Sequence, residues 1–135
     1  MTVLIDTNVL LDVVRADPVW FSWSHRTLRS ISASDDLAIN PVVYAELSIA
    51  FANPVNLDEF LDVLPGALEE MPKAALFEAA KAHQRYRRTA GRKSGILPDF
   101  FIGAHAAIMN WPLLTRDIGR YRTYFPTVRL IAPRS

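Results

Sequence analysis

Short apolar strands alternating with helical segments predict an α/β fold of three layers, with a central, mostly parallel sheet flanked by helices. Three features of the sequence point to it. The opening residues Val3, Leu4 and Ile5 lead into Asp6, Thr7 and Asn8 and then at once into a second apolar run. A buried strand that delivers polar groups at its carboxyl end has this pattern, and open parallel sheets keep their ligand crevice there. Leu113, Leu114 and Thr115 lead to Asp117 in the same way. Between these two stretches lies an alanine-rich segment at 73–89 with strong helix-forming composition.

The chain has 135 residues, enough for one domain spanning 1–135 with its own core. It contains no cysteine, which excludes disulfides and thiolate metal sites and makes a reducing cytoplasm the expected setting. No basic segment leads into a long apolar one, and no run reaches the roughly 18 uninterrupted apolar residues of a membrane span, so a soluble protein without membrane association is expected. The net charge of +1 hides an asymmetry. Residues 1–80 hold 12 acids and 4 Lys/Arg, a net −8, whereas residues 81–135 hold 2 acids and 11 Lys/Arg, a net +9. Such a split suits a polyanion at one face, or lets the two halves neutralise each other.

Taken in order, residues 3–6 form the first strand, and Asn8 is placed to cap a short helix to about residue 15. Asp17 and Pro18 read as cap and first residue of a second helix running to Ile31. After a turn at 34–36 comes a strand at 37–39. Asn40 and Pro41 then start a helix through Phe51 that is apolar nearly all round and is therefore expected to be buried. Asn53 and Pro54 break it. A helix at 56–64 follows, closed by Pro65 and Gly66, with a third strand at 68–71. The helix at 73–89 leads to a basic loop at 91–95. A helix at 98–109, a strand at 113–115, a helical turn at 117–121 and a last strand at 128–131 complete the chain.

Two acids stand where charge is unexpected. Glu46 is the only formally charged residue from Leu37 to Leu57, in the middle of the most apolar helix. An ionised carboxylate in such surroundings needs a partner or a metal, unless it lies on a narrow solvent stripe or answers a core arginine. Asp99 is the only formally charged residue from Gly95 to Thr115. Its place in a first helical turn also suits the helix dipole. Asp117 and Asp6 each stand where a strand ends and a helix begins, and capping is the competing account of Asp117. Asn8 and Thr115 are suited to orient a carboxylate, although each could close a turn. Gly103, Ala104, Ala106 and Ala107 let their helix lie close to its neighbours, and His105 reads as a satisfied core or helix-face histidine. Asp12, Asp35 and Asp36 read as surface or turn acids. Four carboxylates in a cysteine-free, histidine-poor site would repel one another unless cations neutralised them, and Mg²⁺ or Mn²⁺ is the natural guest.

The stretches LIDTNVLLD around Asp6, VVYAELS around Glu46, ILPDFFIGAHA around Asp99 and LLTRDIGRYRTYFP through Asp117 resemble the PIN-domain nucleases, and specifically the VapC toxins of bacterial VapBC toxin–antitoxin pairs. They occur in family order and cover nearly the whole chain. The resemblance implies a PIN-like fold and a metal-dependent endoribonuclease that hydrolyses RNA phosphodiester bonds with a metal-activated water. Asp6, Glu46, Asp99 and Asp117 match the family's catalytic, metal-binding quartet, with Asn8 and Thr115 as polar supports. It further implies Mg²⁺ or Mn²⁺ as cofactor, a cognate VapB-type antitoxin and a homodimer. One departure concerns the number of metals: some PIN domains carry a further acid shortly after the position of Asp117, where this chain has Ile118, Gly119 and Arg120.

Arg116, Arg120 and Arg122 lie close in sequence to Asp117, and Arg85, Arg88 and Arg92 belong to a basic segment with an aromatic residue. All six are candidate RNA contacts. A phosphoryl-receiver domain would need adjacent acids after the first strand and a lysine after a late one, and a dehalogenase-like phosphatase would need an acid where Asn8 stands. Neither pattern is present. The remaining alternative is a catalytically silent PIN-like module that binds RNA or a protein.

Overall fold

Val3, Leu4 and Ile5 are apolar at consecutive rather than alternate positions, so a strand built from them must be covered on both faces. The computed structural model describes residues 1–64, 66–90 and 97–134. In it this strand, β1 (Thr2–Ile5), is the middle of a five-stranded sheet. On one side lie β2 (Asp36–Ile39) and β3 (Gly66–Leu68), and on the other β4 (Leu113–Leu114) and β5 (Leu130–Ile131), in the order β3-β2-β1-β4-β5. Every pairing is parallel, where the sequence predicts a mostly parallel sheet.

Parallel neighbours need long crossovers, and helices supply them. α1 (Thr7–Val14) and α2 (Phe21–Ser32) join β1 to β2, and α3 (Pro41–Ser48) and α4 (Pro54–Val63) join β2 to β3. α5 (Lys73–Ala90) and α6 (Pro98–Met109) lie between β3 and β4, and α7 (Gly119–Tyr124) lies between β4 and β5. The strand order reverses between β1 and β4. That is the switch point at which an open α/β sheet leaves a crevice. Leu4 registers with Leu113 and Ile5 with Leu114, so Asp6 and Thr115 leave neighbouring strands side by side. The Asp6 N–H donates to the Leu114 carbonyl at 2.9 Å.

The core closes on both faces of β1, with Val3, Leu4 and Ile5 buried against Leu10, Leu47 and Ile102 among others. Small residues allow close packing there. Ala75, Ala79 and Ala82 of α5 are fully buried. On α6, a Cβ added to Gly103 would stand 2.4 Å from Cδ2 of Phe125, in keeping with the close approach its small residues predict. His105 is buried, with Nδ1 3.3 Å from Asn40 Nδ2 and its ring 5.1 Å from Trp111. It is a core histidine as expected, although among the described residues its Nε2 has no hydrogen-bond partner. Burial holds its pKa below the usual value and keeps the ring neutral. No helix among the described residues is long and apolar enough to cross a membrane.

Several local expectations are corrected. Asp6, not Asn8, occupies the cap position of α1, and it makes no side-chain capping bond. α2 begins at Phe21 rather than Pro18, because the Asp17 carboxylate accepts the N–H groups of Val19 and Trp20 at 2.8 and 2.9 Å and holds a turn there. α3 is capped by Asn40, whose side chain accepts the Val43 N–H at 2.9 Å, but it ends at Ser48 and is not buried all round. Only Val43 and Leu47 on it are buried, and Ile49 just beyond is 81% exposed. α4 starts at Pro54, earlier than expected, under an Asn53 cap that accepts the Asn56 N–H at 2.9 Å. β3 pairs at 66–68 instead of 68–71, and the turn expected at 117–121 becomes α7. Pro65 and the loop expected at 91–95 fall outside the described residues.

Substituting Gly103→Ala should lower stability by about 1–3 kcal/mol, because the new methyl must displace the Phe125 ring in a filled core. Urea denaturation reads this as a lower midpoint at unchanged slope.

Candidate active site

At the crevice, Asp6 leaves β1 with its carboxylate almost fully buried, at 4% exposure. Its Oδ2 accepts the Thr115 hydroxyl at 2.8 Å and the Tyr121 hydroxyl at 2.9 Å, with Asn8 Nδ2 at 3.4 Å. Loss of water still dominates. Burial, reinforced by the charge of Asp99, pushes the Asp6 carboxyl up from 3.8 to about 6, against the donors Thr115, Tyr121 and the Thr7 N–H.

Asp99 sits in the first turn of α6 and is half-buried. Burial raises its pKa; the Arg120 guanidinium pulls it back and the Asp117 charge pushes it up again. Arg120 Nη1 donates to its Oδ2 at 2.9 Å. Asp117 is exposed. Its backbone N–H donates to Thr115 Oγ1 at 3.0 Å, and its own Oδ1 accepts the Gly119 N–H at 3.3 Å, so it also serves the start of α7 as a cap would. Tyr121, hydrogen-bonded to Asp6, lies within the field of all three acids. Its phenol is fully buried, and burial followed by the charges of Asp6 and Asp99 keeps its pKa well above 10, so it remains a proton donor.

Glu46 joins through Asp6's neighbour: the Thr7 hydroxyl donates to Glu46 Oε1 at 2.6 Å. The carboxylate expected to be anomalous in an apolar helix is thus half-buried and hydrogen-bonded across to α1. Asn8 spans the crevice, reaching Thr115 Oγ1 at 3.5 Å and accepting the Arg116 N–H at 3.3 Å. Asp99 thus stands within electrostatic reach of both Asp6 and Asp117, with Thr115 and Asn8 beside Asp6. Among the described residues, no three His, Asp or Glu side chains form a group arranged to hold a metal ion. The donor set nonetheless suits a hard cation, because it is all carboxylate oxygen.

Asp12 is corrected from a surface acid to a buried brace, at 2% exposure. It accepts Arg116 Nε at 2.6 Å on Oδ2 and Nη2 at 2.9 Å on Oδ1, and Ser24 Oγ at 2.6 Å on Oδ2. Arg116 also lies 5.2 Å from the Trp20 ring centroid. Its guanidinium is thereby engaged within the protein, with 26% of the side chain still exposed. Arg120 is held by Asp99, while Arg122 on α7 and Arg85 and Arg88 on α5 are exposed, Arg85 with Glu78 at 3.7 Å. Arg92 lies outside the described residues.

Sequence inspection missed Tyr121, Thr7 and the role of Asp12. Tyr121 carried one usable signal, being a tyrosine one helical turn beyond Asp117: a buried phenol needs a partner for its hydroxyl. Asp12, one turn beyond Asn8, had no local mark to separate it from a solvated acid.

A family model described as PIN domain matches residues 3–126. Among solved structures, VapBC2 from Rickettsia felis, bound to a DNA fragment from its promoter, matches with a TM-score of 0.75 and 17% identity over 99% of this chain and 100% of that one. VapBC-1 from nontypeable Haemophilus influenzae matches with a TM-score of 0.72 and 15% identity over 98% of each chain. A toxin–antitoxin complex from Klebsiella pneumoniae matches with a TM-score of 0.68 and 20% identity over 93% of this chain and 94% of that one. A comparison with curated protein sequences finds no match.

Two outcomes are expected from this geometry. Asp12→Ala should destabilise the protein by about 3 kcal/mol, the low end for a broken buried pair because Arg116 keeps 26% side-chain exposure; thermal and urea unfolding check it. Because folding raises the Asp6 pKa, its protonation favours the folded state below about pH 4 and that contribution is lost as pH rises through about 6. In metal-free buffer Asp6→Asn should therefore unfold at a higher temperature than the wild type at pH 7, with the difference shrinking by pH 4. Parallel melting curves across that range would disprove the shift.

Proposed function

The chain belongs to the PIN-domain family, matched over residues 3–126, and with the carboxylate cluster as the second premise we propose that it is a divalent-metal-dependent endoribonuclease, the toxin of a VapBC-type toxin–antitoxin pair. One observation carries the proposal. Asp6 and Asp99, from separate elements, are a buried and a half-buried carboxyl at the switch point of the sheet; Asp6 feels the charge of Asp99 and Asp99 that of Asp117, around a buried phenol that cannot readily ionise. A purely structural acid would gain nothing from two others beside it.

Asp6, Asp99, Asp117 and Glu46 would hold Mg²⁺ or Mn²⁺, whose contribution when bound is Lewis-acid charge at the scissile phosphate. The chain's own residues prepare the site. Thr115 and Tyr121 donate to the same oxygen of Asp6 and so fix its carboxylate in one orientation. Tyr121 keeps its proton and remains a donor. Thr7 fixes Glu46, and Asn8 ties the start of α1 to the segment after β4. Arg122, Arg85 and Arg88 offer exposed cations for an RNA backbone, on α7 and on α5, whose Tyr86 packs 5.4 Å from Phe100, the residue after Asp99. Phosphate contacts of this kind attract any sequence and weaken with salt.

The structurally similar proteins are VapBC and toxin–antitoxin complexes, one of them on promoter DNA. That supports a VapB-type antitoxin as the partner of this chain, with a homodimer and a cytoplasmic setting as part of the same proposal.

The test is to incubate the purified chain with cellular RNA and Mn²⁺ or Mg²⁺ and sequence the cleaved ends, beside Asp6→Asn and Asp99→Ala. Metal-dependent cuts by the wild type, absent from both variants at matched folding, are expected. Cleavage retained by Asp6→Asn refutes the assignment, and RNA binding without any cleavage by the wild type points to a silent binding module instead.

A further inference from the structure

Arg120 lies three residues beyond Asp117, and its surroundings are unlike those of an exposed arginine. Its Nη1 donates to Asp99 Oδ2 at 2.9 Å, and its guanidinium lies 5.1 Å from the Tyr86 ring centroid and 5.7 Å from that of Phe100. Residues of α5, α6 and α7 thus fix one planar cation against one carboxylate. A guanidinium stacked on two aromatic faces and paired with an acid is pre-organised and not readily exchanged for an ammonium or a water.

The carboxylate it holds matters. Asp99 raises the pKa of Asp6, and Asp117 raises that of Asp99, so Asp99 is the middle member of the three. Glu46 stands to one side, its Oε1 taken by the Thr7 hydroxyl. Fully ionised, Asp6, Glu46, Asp99 and Asp117 with Arg120 carry a net −3, which one divalent ion leaves at −1 and a second would reverse in sign. A second divalent ion would have to sit in the field of a fixed guanidinium.

We propose that Arg120 is a built-in counter-cation of the acid cluster: it positions Asp99 and cancels one of its charges, so that the site retains one divalent ion per chain. The inference rests on the proposed metal-dependent nuclease and deepens it, by giving the ion number and by assigning Arg120 to the ion's surroundings and not to RNA.

The test is direct Mn²⁺ binding by the full chain, followed by calorimetry and by the loss of the free-Mn²⁺ paramagnetic resonance signal. One ion per chain is expected for the wild type. Arg120→Gln, which removes the cation and leaves Asp99, should bind Mn²⁺ about tenfold or more tightly, because a unit charge close to a divalent ion has been deleted. Arg120→Lys, which keeps the charge but loses the planar stacking, should bind Mn²⁺ more tightly than the wild type and less tightly than Arg120→Gln. Two ions in the wild type, or equal or weaker Mn²⁺ binding by folded Arg120→Gln, would overturn the inference; weaker binding is what a merely structural clamp on Asp99 predicts. If Arg120→Gln fails to fold, the wild-type stoichiometry and Arg120→Lys decide. A wild-type chain that binds no Mn²⁺ at all removes the proposed metal-dependent function and this inference with it, so the two failures are distinguishable.

Discussion

A carboxylate withdrawn from water at the end of β1 constrains everything around it. Asp6 is buried deeply enough that two hydroxyl donors on one oxygen and a backbone N–H do not bring its pKa back to the ordinary range. Those donors come from distant parts of the chain: Thr115 follows β4, and Tyr121 is on α7. The parallel register of β1 with β4 is what brings Asp6 and Thr115 together. A slip of that register would strand a buried acid without its partners, so the hydrogen-bonding needs of one side chain and the pairing of the sheet reinforce each other.

The charge asymmetry of the chain resolves into specific contacts. Asp12, in the acidic part, braces Arg116, in the basic part, through two nitrogen–oxygen contacts with Ser24 as a third donor. This pair locks the segment after β4 onto α1 and so holds the backbone on which Thr115 and Asp117 stand. Asp99 and Arg120, both from the basic half, pair at the mouth of the crevice. The two pairs differ in consequence: the first is nearly closed to solvent at Asp12, while both partners of the second keep about a quarter to a third of their surface in water.

Resemblance in shape far exceeds resemblance in letters. At 17% identity the fold is shared over 99% of the chain, which follows from how little a parallel sheet asks of its sequence. Buried strands need only short apolar runs, crossover helices need only an apolar face, and cores tolerate exchange among residues of similar size.

The sequence alone was enough for what depends on local pattern. The alternation of strands and helices, the helix start at Asn40 and Pro41, the small face of α6, the two acids in apolar segments and the two at strand ends were all legible, since each is a property of neighbouring residues. Tertiary structure decided what depends on partners distant in the chain. Asp12 and Asp6 are both carboxylates beside apolar residues, yet only the fold gives one an arginine 104 residues away and the other a threonine 109 and a tyrosine 115 residues away. α3 was expected to be buried from its composition and is buried on one side only, because burial depends on what packs against a helix and not on its letters. Pairing over such separations leaves no periodic trace in the sequence, so the identity of the acids could be read there, and the company each one keeps could not.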